Sequence, residues 1–163
     1  KAVIGLDPCT PEAIDTLPSV QNAQIYALYA VSRMGLSRFM PESDREKTLP
    51  LMASSDFTKE DKLQYMAMFY KSSVTRDMVR ELSYLTQHAQ TVKDKGIPVD
   101  TPMCFFISRD QDASAPGWGD ALTTYLSQLT IGVYHELEAS HFVHHEKAEK
   151  IALEAKAFLR NIE

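Results

Sequence analysis

The sequence predicts an α/β chain built on a parallel sheet, and three observations carry that expectation. Three short apolar runs, at residues 2–8, 103–107 and 130–134, are bounded by turn residues in the manner of strands. The long segments between and after them repeat their apolar residues at helical spacing. The resulting order is strand, long helical stretch, strand, helix, strand, helix. Strands separated by helices pair in parallel through crossover connections, so the order itself implies the sheet.

Each element has a local cause. Ala2-Val3-Ile4-Gly5-Leu6 is a β-branched apolar run closed by Asp7-Pro8, which reads as a buried strand ending in a turn. A buried strand requires neighbours on both sides, and the chain opens at Lys1 almost directly into this run, without an initiator methionine. The expectation is that it begins mid-fold. Thr10-Pro11-Glu12 combines an N-cap, a proline at the first helical position and an acid in the first turn, predicting a short helix. From there to about residue 97 the reading is helical. Gln21 to Met34 carries Ile25, Leu28, Tyr29 and Val31 and stops at Gly35. Thr58-Lys59-Glu60-Asp61 resembles a capping box opening a helix with Leu63, Met66, Ala67 and Tyr70 on one face. A third helix opens near Thr75, places Met78, Val79, Leu82, Leu85, Ala89 and Val92 at helical spacing, and ends at Lys95-Gly96.

The pattern changes at Ile97-Pro98. Met103 to Ile107 is continuously apolar and short, as in a strand buried on both faces. Pro116 to Gln128 reads as a helix and Thr130 to Tyr134 as a third strand. From Glu146, a final helix places Ala148, Ile151, Ala152, Ala155, Phe158, Leu159 and Ile162 on one stripe. Three parallel strands alone leave the first with an unpaired apolar edge, so a partner half is expected.

Composition bounds the partners. At 163 residues with 44% hydrophobic and 24% charged residues, the chain can bury a core without staples. A formal charge of −5 repels phosphate backbones and anionic membranes, arguing against both as partners. Cys9 and Cys104 lie far apart, and two buried thiols in a reducing compartment, the cytoplasm by default, fit better than a disulfide. No apolar stretch reaches the roughly 20 residues of a membrane span, and no leader pattern is evident, so a soluble chain is expected.

In parallel-sheet enzymes the working residues sit in loops beyond the C-terminal strand ends. After the second strand comes Ser108-Arg109-Asp110-Gln111-Asp112-Ala113-Ser114-Ala115-Pro116, with Asp112 four residues before the proline. After the third comes Glu138-Ala139-Ser140-His141, with His141 five residues before Glu146. These segments resemble the acid and histidine loops of the α/β-hydrolase superfamily, and Gly5-Leu6-Asp7-Pro8 resembles that family's strand after the nucleophile helix. The resemblance implies the C-terminal part of an α/β-hydrolase: core at residues 1–9 and 97–163, with a helical cap and connecting helix at 10–96. It implies His141 as general base and Asp112 as the acid that orients it. Asp110 competes with Asp112. Asp7 is a second rival, since some members take their acid from the earlier strand end, although its plainer reading is a structural carboxylate at a strand-to-helix turn.

The family's nucleophile elbow, Gly-x-Ser-x-Gly, has no counterpart. The nearest segment, Gly35-Leu36-Ser37-Arg38-Phe39, lacks the second glycine and lies between helices. His135, His141, His144 and His145 with Glu138 and Glu146 lack the spacing of a four-ligand metal site, so neither metal nor cofactor is expected. Tyr65 to Tyr70 is rich in Met and aromatics and reads as helix core, or as pocket lining if the helix belongs to a cap. Trp118 reads as packing. Two functions are open: part of a serine-type hydrolase acting on a small ester, amide or related carbonyl, with its nucleophile half elsewhere, or an inactive portion that self-associates through its sheet edge.

Overall fold

The computed structural model describes residues 1–17, 22–41, 57–72 and 74–162, with Asp44, Leu49 and Met52 between them. The chain divides into two compact units, Lys1–Ser19 with Leu85–Glu163, and Val20–Tyr84. No helix among the described residues is long and apolar enough to cross a membrane.

The first unit is a mixed α/β body around a three-stranded parallel sheet: β1 (Val3–Leu6), β2 (Met103–Ser108) and β3 (Gly132–Leu137), in the order β1-β2-β3. The register sets Leu6 beside Phe106 and Phe106 beside His135. All six residues of β2 are buried, and alternate side chains enter two cores. Met103, Phe105 and Ile107 pack with Ala13, Trp118, Leu122 and Leu126 on one face; Cys104 and Phe106 pack with Leu137, Val143, Ile151 and Phe158 on the other. A strand covered by helices on both faces has no polar side to alternate with, which is why β2 is apolar from Met103 to Ile107, with the polar Ser108 at its end.

The first strand departs from the expectation of burial. β1 pairs only with β2, and Val3 and Leu6 are each 42% exposed, because nothing among the described residues flanks its outer edge. The third strand begins and ends later than the apolar run suggested. β3 opens at Gly132, where any side chain would collide with the Leu126 carbonyl. The strand then continues through His135 and Glu136, since an edge strand alternates buried and solvated residues where a run of apolar letters stops.

The helices of this unit follow their start signals. Thr10 caps α1 (Pro11–Ile14) by accepting from the Ala13 amide at 3.3 Å. Trp118–Ser127 forms the helix after β2, and the tail divides into Val143–Glu146 and Ala148–Asn161. On the last helix Ile151, Ala155, Phe158 and Ile162 face the sheet, while Leu159, expected on that stripe, is exposed.

The second unit holds α2 (Asn22–Arg33), which stops at Gly35 in the left-handed region, and α3 (Lys59–Ser72). The expected helix start at Gln21 lies outside the described residues. At α3 the capping box is complete: Asp61 N donates to Thr58 Oγ1 at 3.2 Å, and Thr58 N and Oγ1 donate to Asp61 Oδ2 at 2.9 and 2.6 Å. The expected core role of Tyr65 to Tyr70 is not realised, for α3 buries no residue. Its apolar side chains lie all around the helix, so no single face could cover them. α4 (Arg76–Lys95) buries Val79 and Ala89, whereas Met78, Leu82 and Val92 of the expected stripe are exposed.

Candidate acid–histidine site

The C-terminal ends of β1 and β3 lie on either side of β2, and the residues just beyond them meet. Asp7 follows β1 with φ +48°, a left-handed conformation that costs a residue bearing a Cβ and persists only where its surroundings hold it. Its side chain is fully buried and takes three hydrogen bonds. Oδ1 accepts from the Ser108 amide and from Trp118 Nε1, both at 3.0 Å, and Oδ2 accepts from His141 Nδ1 at 2.6 Å. A buried carboxylate without donors would cost several kcal/mol, and these three donors compensate it.

A carboxylate only accepts, so the contact calls for a proton on His141 Nδ1, and in the neutral ring Nε2 is then the acceptor. The imidazole is 46% exposed. Its loop is held from both sides. Ser140 N and Oγ donate to Glu146 Oε1 at 2.9 and 2.7 Å, and these two bonds hold the Glu146 carboxyl below the usual carboxylate range against the opposing effect of burial. Ser108 Oγ donates to the Ala139 carbonyl at 2.7 Å, tying the loop after β2 to the loop after β3. The indole of Trp118 stands edge-on to the His141 ring, centroids 6.1 Å apart.

Asp112 does not occupy the place expected of it. Its Oδ1 accepts from the Gly119 amide at 3.2 Å, so it caps the helix that opens at Trp118. The physical reason is reach. Asp112 sits in an exposed 3-10 turn, Asp110–Ala113, directly beneath the amides of that helix, whereas Asp7 is delivered to His141 by a strand end. Asp110, in the same turn, is exposed and its carboxylate forms no hydrogen bond among the described residues.

No family model, curated protein or solved structure matches this chain.

Three further histidines pack against neighbouring rings. His135 is on β3, its ring stacked on Phe106 at 5.2 Å, and His144 and His145 lie ring against ring at 4.1 Å, with His145 also stacked on Phe142. Burial and the neighbouring His144 lower the pKa of His145. Among the described residues no three His, Cys, Asp or Glu side chains converge as metal ligands. Cys9, expected to be buried, is exposed, and Cys104 is buried.

Trp118 is the residue that reading by patterns undervalues. It is buried, and its indole N–H spends its one hydrogen bond on Asp7. A buried tryptophan needs an acceptor, and that rule was the available signal. The arrangement presents an oriented imidazole whose free nitrogen can take a proton from a hydroxyl. Among the described residues, no serine, threonine or cysteine side chain is hydrogen-bonded to His141.

Proposed function

We propose that this chain is the acid- and histidine-bearing part of a serine-type α/β-hydrolase acting on a small ester, amide or related carbonyl. Asp7 is the orienting acid and His141 the general base. The single observation behind this reading is the 2.6 Å contact of His141 Nδ1 with buried Asp7 at the C-terminal rim of a parallel sheet. An acid that fixes the Nδ1–H tautomer, leaving Nε2 to take a proton from an attacking hydroxyl, is the arrangement nucleophilic acyl transfer uses. Acid before histidine is also the family's chain order.

The sequence contains no Gly-x-Ser-x-Gly, and its nearest segment forms the 3-10 turn Leu36–Phe39. The nucleophile and most oxyanion donors accordingly come from polypeptide outside these 163 residues, seated against the open edge of β1. In chain order, residues 10–96 take the place of the family's cap and connecting helix, where they would set substrate size and polarity.

The test is hydrolysis of p-nitrophenyl acetate and serine labelling by a fluorophosphonate, with and without a co-purifying polypeptide that carries the elbow. The expected result is turnover and labelling only with that polypeptide, both lost in His141→Ala. Turnover by this chain alone, abolished by His141→Ala, would overturn the placement of the nucleophile. A mixture that is inactive with the elbow-bearing polypeptide bound would overturn the hydrolase reading.

The open β1 edge favours a second reading, self-association without catalysis. It predicts a dimer by sedimentation that Val3→Lys and Leu6→Lys dissociate, and no turnover in any mixture.

A further inference from the structure

The unit of residues 20–84 contains a cavity of about 470 Å³ that plays no part in the acid–histidine pair. Its wall is one face of α4, contributed by Arg76, Val79, Arg80, Ser83 and Tyr84 at helical spacing, and Tyr26 of α2 lies across from them. Buried Val79 forms an apolar floor, and the rings of Tyr26 and Tyr84 are about half exposed. Ser83 gives its hydroxyl proton to the Val79 carbonyl at 2.8 Å, so the cavity's charge comes from the two guanidiniums.

Among the described residues, no carboxylate lies in ion-pair contact with Arg76 or Arg80, although Asp77 and Glu81 are on the same helix. Two arginines four residues apart project from one helix face at about 5–6 Å spacing, where like charges repel. The positive end of the twenty-residue α4, which opens at Arg76, adds to the same field. In a chain of formal charge −5, two exposed guanidiniums at the rim of one cavity, without an ion-pair partner among the described residues, are a local reversal of sign. Guanidiniums match planar or tetrahedral oxyanions through paired N–H donors, and tyrosine faces suit a flat apolar body.

We propose that this cavity binds a small organic oxyanion, with a carboxylate or phosphate head between Arg76 and Arg80 and a flat apolar body against Tyr26 and Tyr84. The proposal stands independently of the hydrolase reading.

Calorimetric titration of the full chain with phenyl phosphate, benzoate, inorganic phosphate and neutral benzamide tests it. Phenyl phosphate and benzoate are expected to bind at low salt and to weaken at least tenfold in Arg76→Ala and in Arg80→Ala. The double Arg→Lys variant, which keeps the charge and loses the paired donors, should fall between wild type and the alanine variants. Inorganic phosphate should bind more weakly than phenyl phosphate. The proposal is overturned if benzamide binds as well as benzoate, if inorganic phosphate equals phenyl phosphate, if the arginine variants bind unchanged, or if no anion binds at millimolar concentration. Thermal melts of each variant confirm that the exposed substitutions leave the fold intact.

Discussion

His141 and Asp7 are 134 positions apart in sequence and 2.6 Å apart in space. β1 and β3 run parallel on the two sides of β2, so their C-terminal ends open onto one rim and the residues just beyond them can touch.

That contact makes Asp7→Asn an informative substitution. In the wild type, Oδ1 is fixed by the donors Ser108 N and Trp118 Nε1, and an asparagine would keep its oxygen there. Its amide nitrogen would then face His141 Nδ1 as a donor and force the ring to carry its proton on Nε2. Nitrogen-15 spectra of the imidazole should show the Nδ1–H tautomer in the wild type and Nε2–H in Asp7→Asn. In an assembled hydrolase, turnover should fall on the order of 10⁴-fold, the loss that a wrong tautomer produces in a triad. An unchanged tautomer would refute the assignment of Asp7 as orienting acid.

Asp112→Ala separates the rival acid from the site. Asp112 serves a helix start through Gly119 N, so its loss should cost about 0.5–1 kcal/mol, as for a lost helix cap. The His141 tautomer and any hydrolytic rate should stay at wild-type level. A rate loss comparable to that of Asp7→Asn would return the acid role to Asp112.

Much of the sheet was legible because burial on both faces leaves an unbroken apolar run, as at Met103 to Ile107. The place of His141, in the loop between the third strand and the tail helices, was legible because it is set by local sequence. The partner of His141 was not. Asp7, Asp110 and Asp112 all lie in turns after strands, and their local sequences do not encode which strand end faces the histidine loop. The left-handed φ of Asp7 and the indole bond from Trp118 arise only when segments more than 100 residues apart meet. The exposure of α3 was not legible for a related reason: apolar side chains spread round a helix offer no single face for a core to cover.

Trp118→Phe should expose how far the indole supports the acid. The change removes one of two donors to Asp7 Oδ1 and leaves a smaller ring in a packed core, for an expected loss of about 1–3 kcal/mol in urea unfolding followed by circular dichroism. Because the two side chains touch, Trp118→Phe and Asp7→Asn should combine non-additively. Strict additivity would show that the indole acts by packing alone.

The Glu146 strap predicts an acid limb. Its folded carboxyl is depressed by the Ser140 hydroxyl and amide, so the stabilisation is full above the unfolded value of about 4.3 and is lost as pH falls through the lower folded value. Amide exchange at Ser140 and His141 should therefore accelerate on acidification below about pH 4. Glu146→Gln, which keeps an acceptor but no charge, should show fast exchange already at neutral pH and lose the acid step. A wild-type exchange rate insensitive to pH after correction for intrinsic chemistry would contradict the strap.

Cys104 predicts the opposite limb. Burial, and after it the charge of Glu154, pushes the thiol from 9.0 up to about 11. The folded chain therefore retains this proton in a range where the unfolded chain releases it, and the folded state binds more protons between those values. By linkage, stability falls as pH rises from about 9 to about 11 and is unaffected by this group below that window. Cys104→Ala should lower stability at every pH through the cavity it leaves, yet show a shallower alkaline decline. The comparison is urea midpoints at pH 8, 10 and 11 for the two proteins. In parallel, an uncharged thiol reagent at pH 8 should modify exposed Cys9 and spare Cys104 until the sheet unfolds. Equal alkaline slopes in the two proteins, or ready modification of Cys104 in the native chain, would show that β2 is not sealed between its two cores.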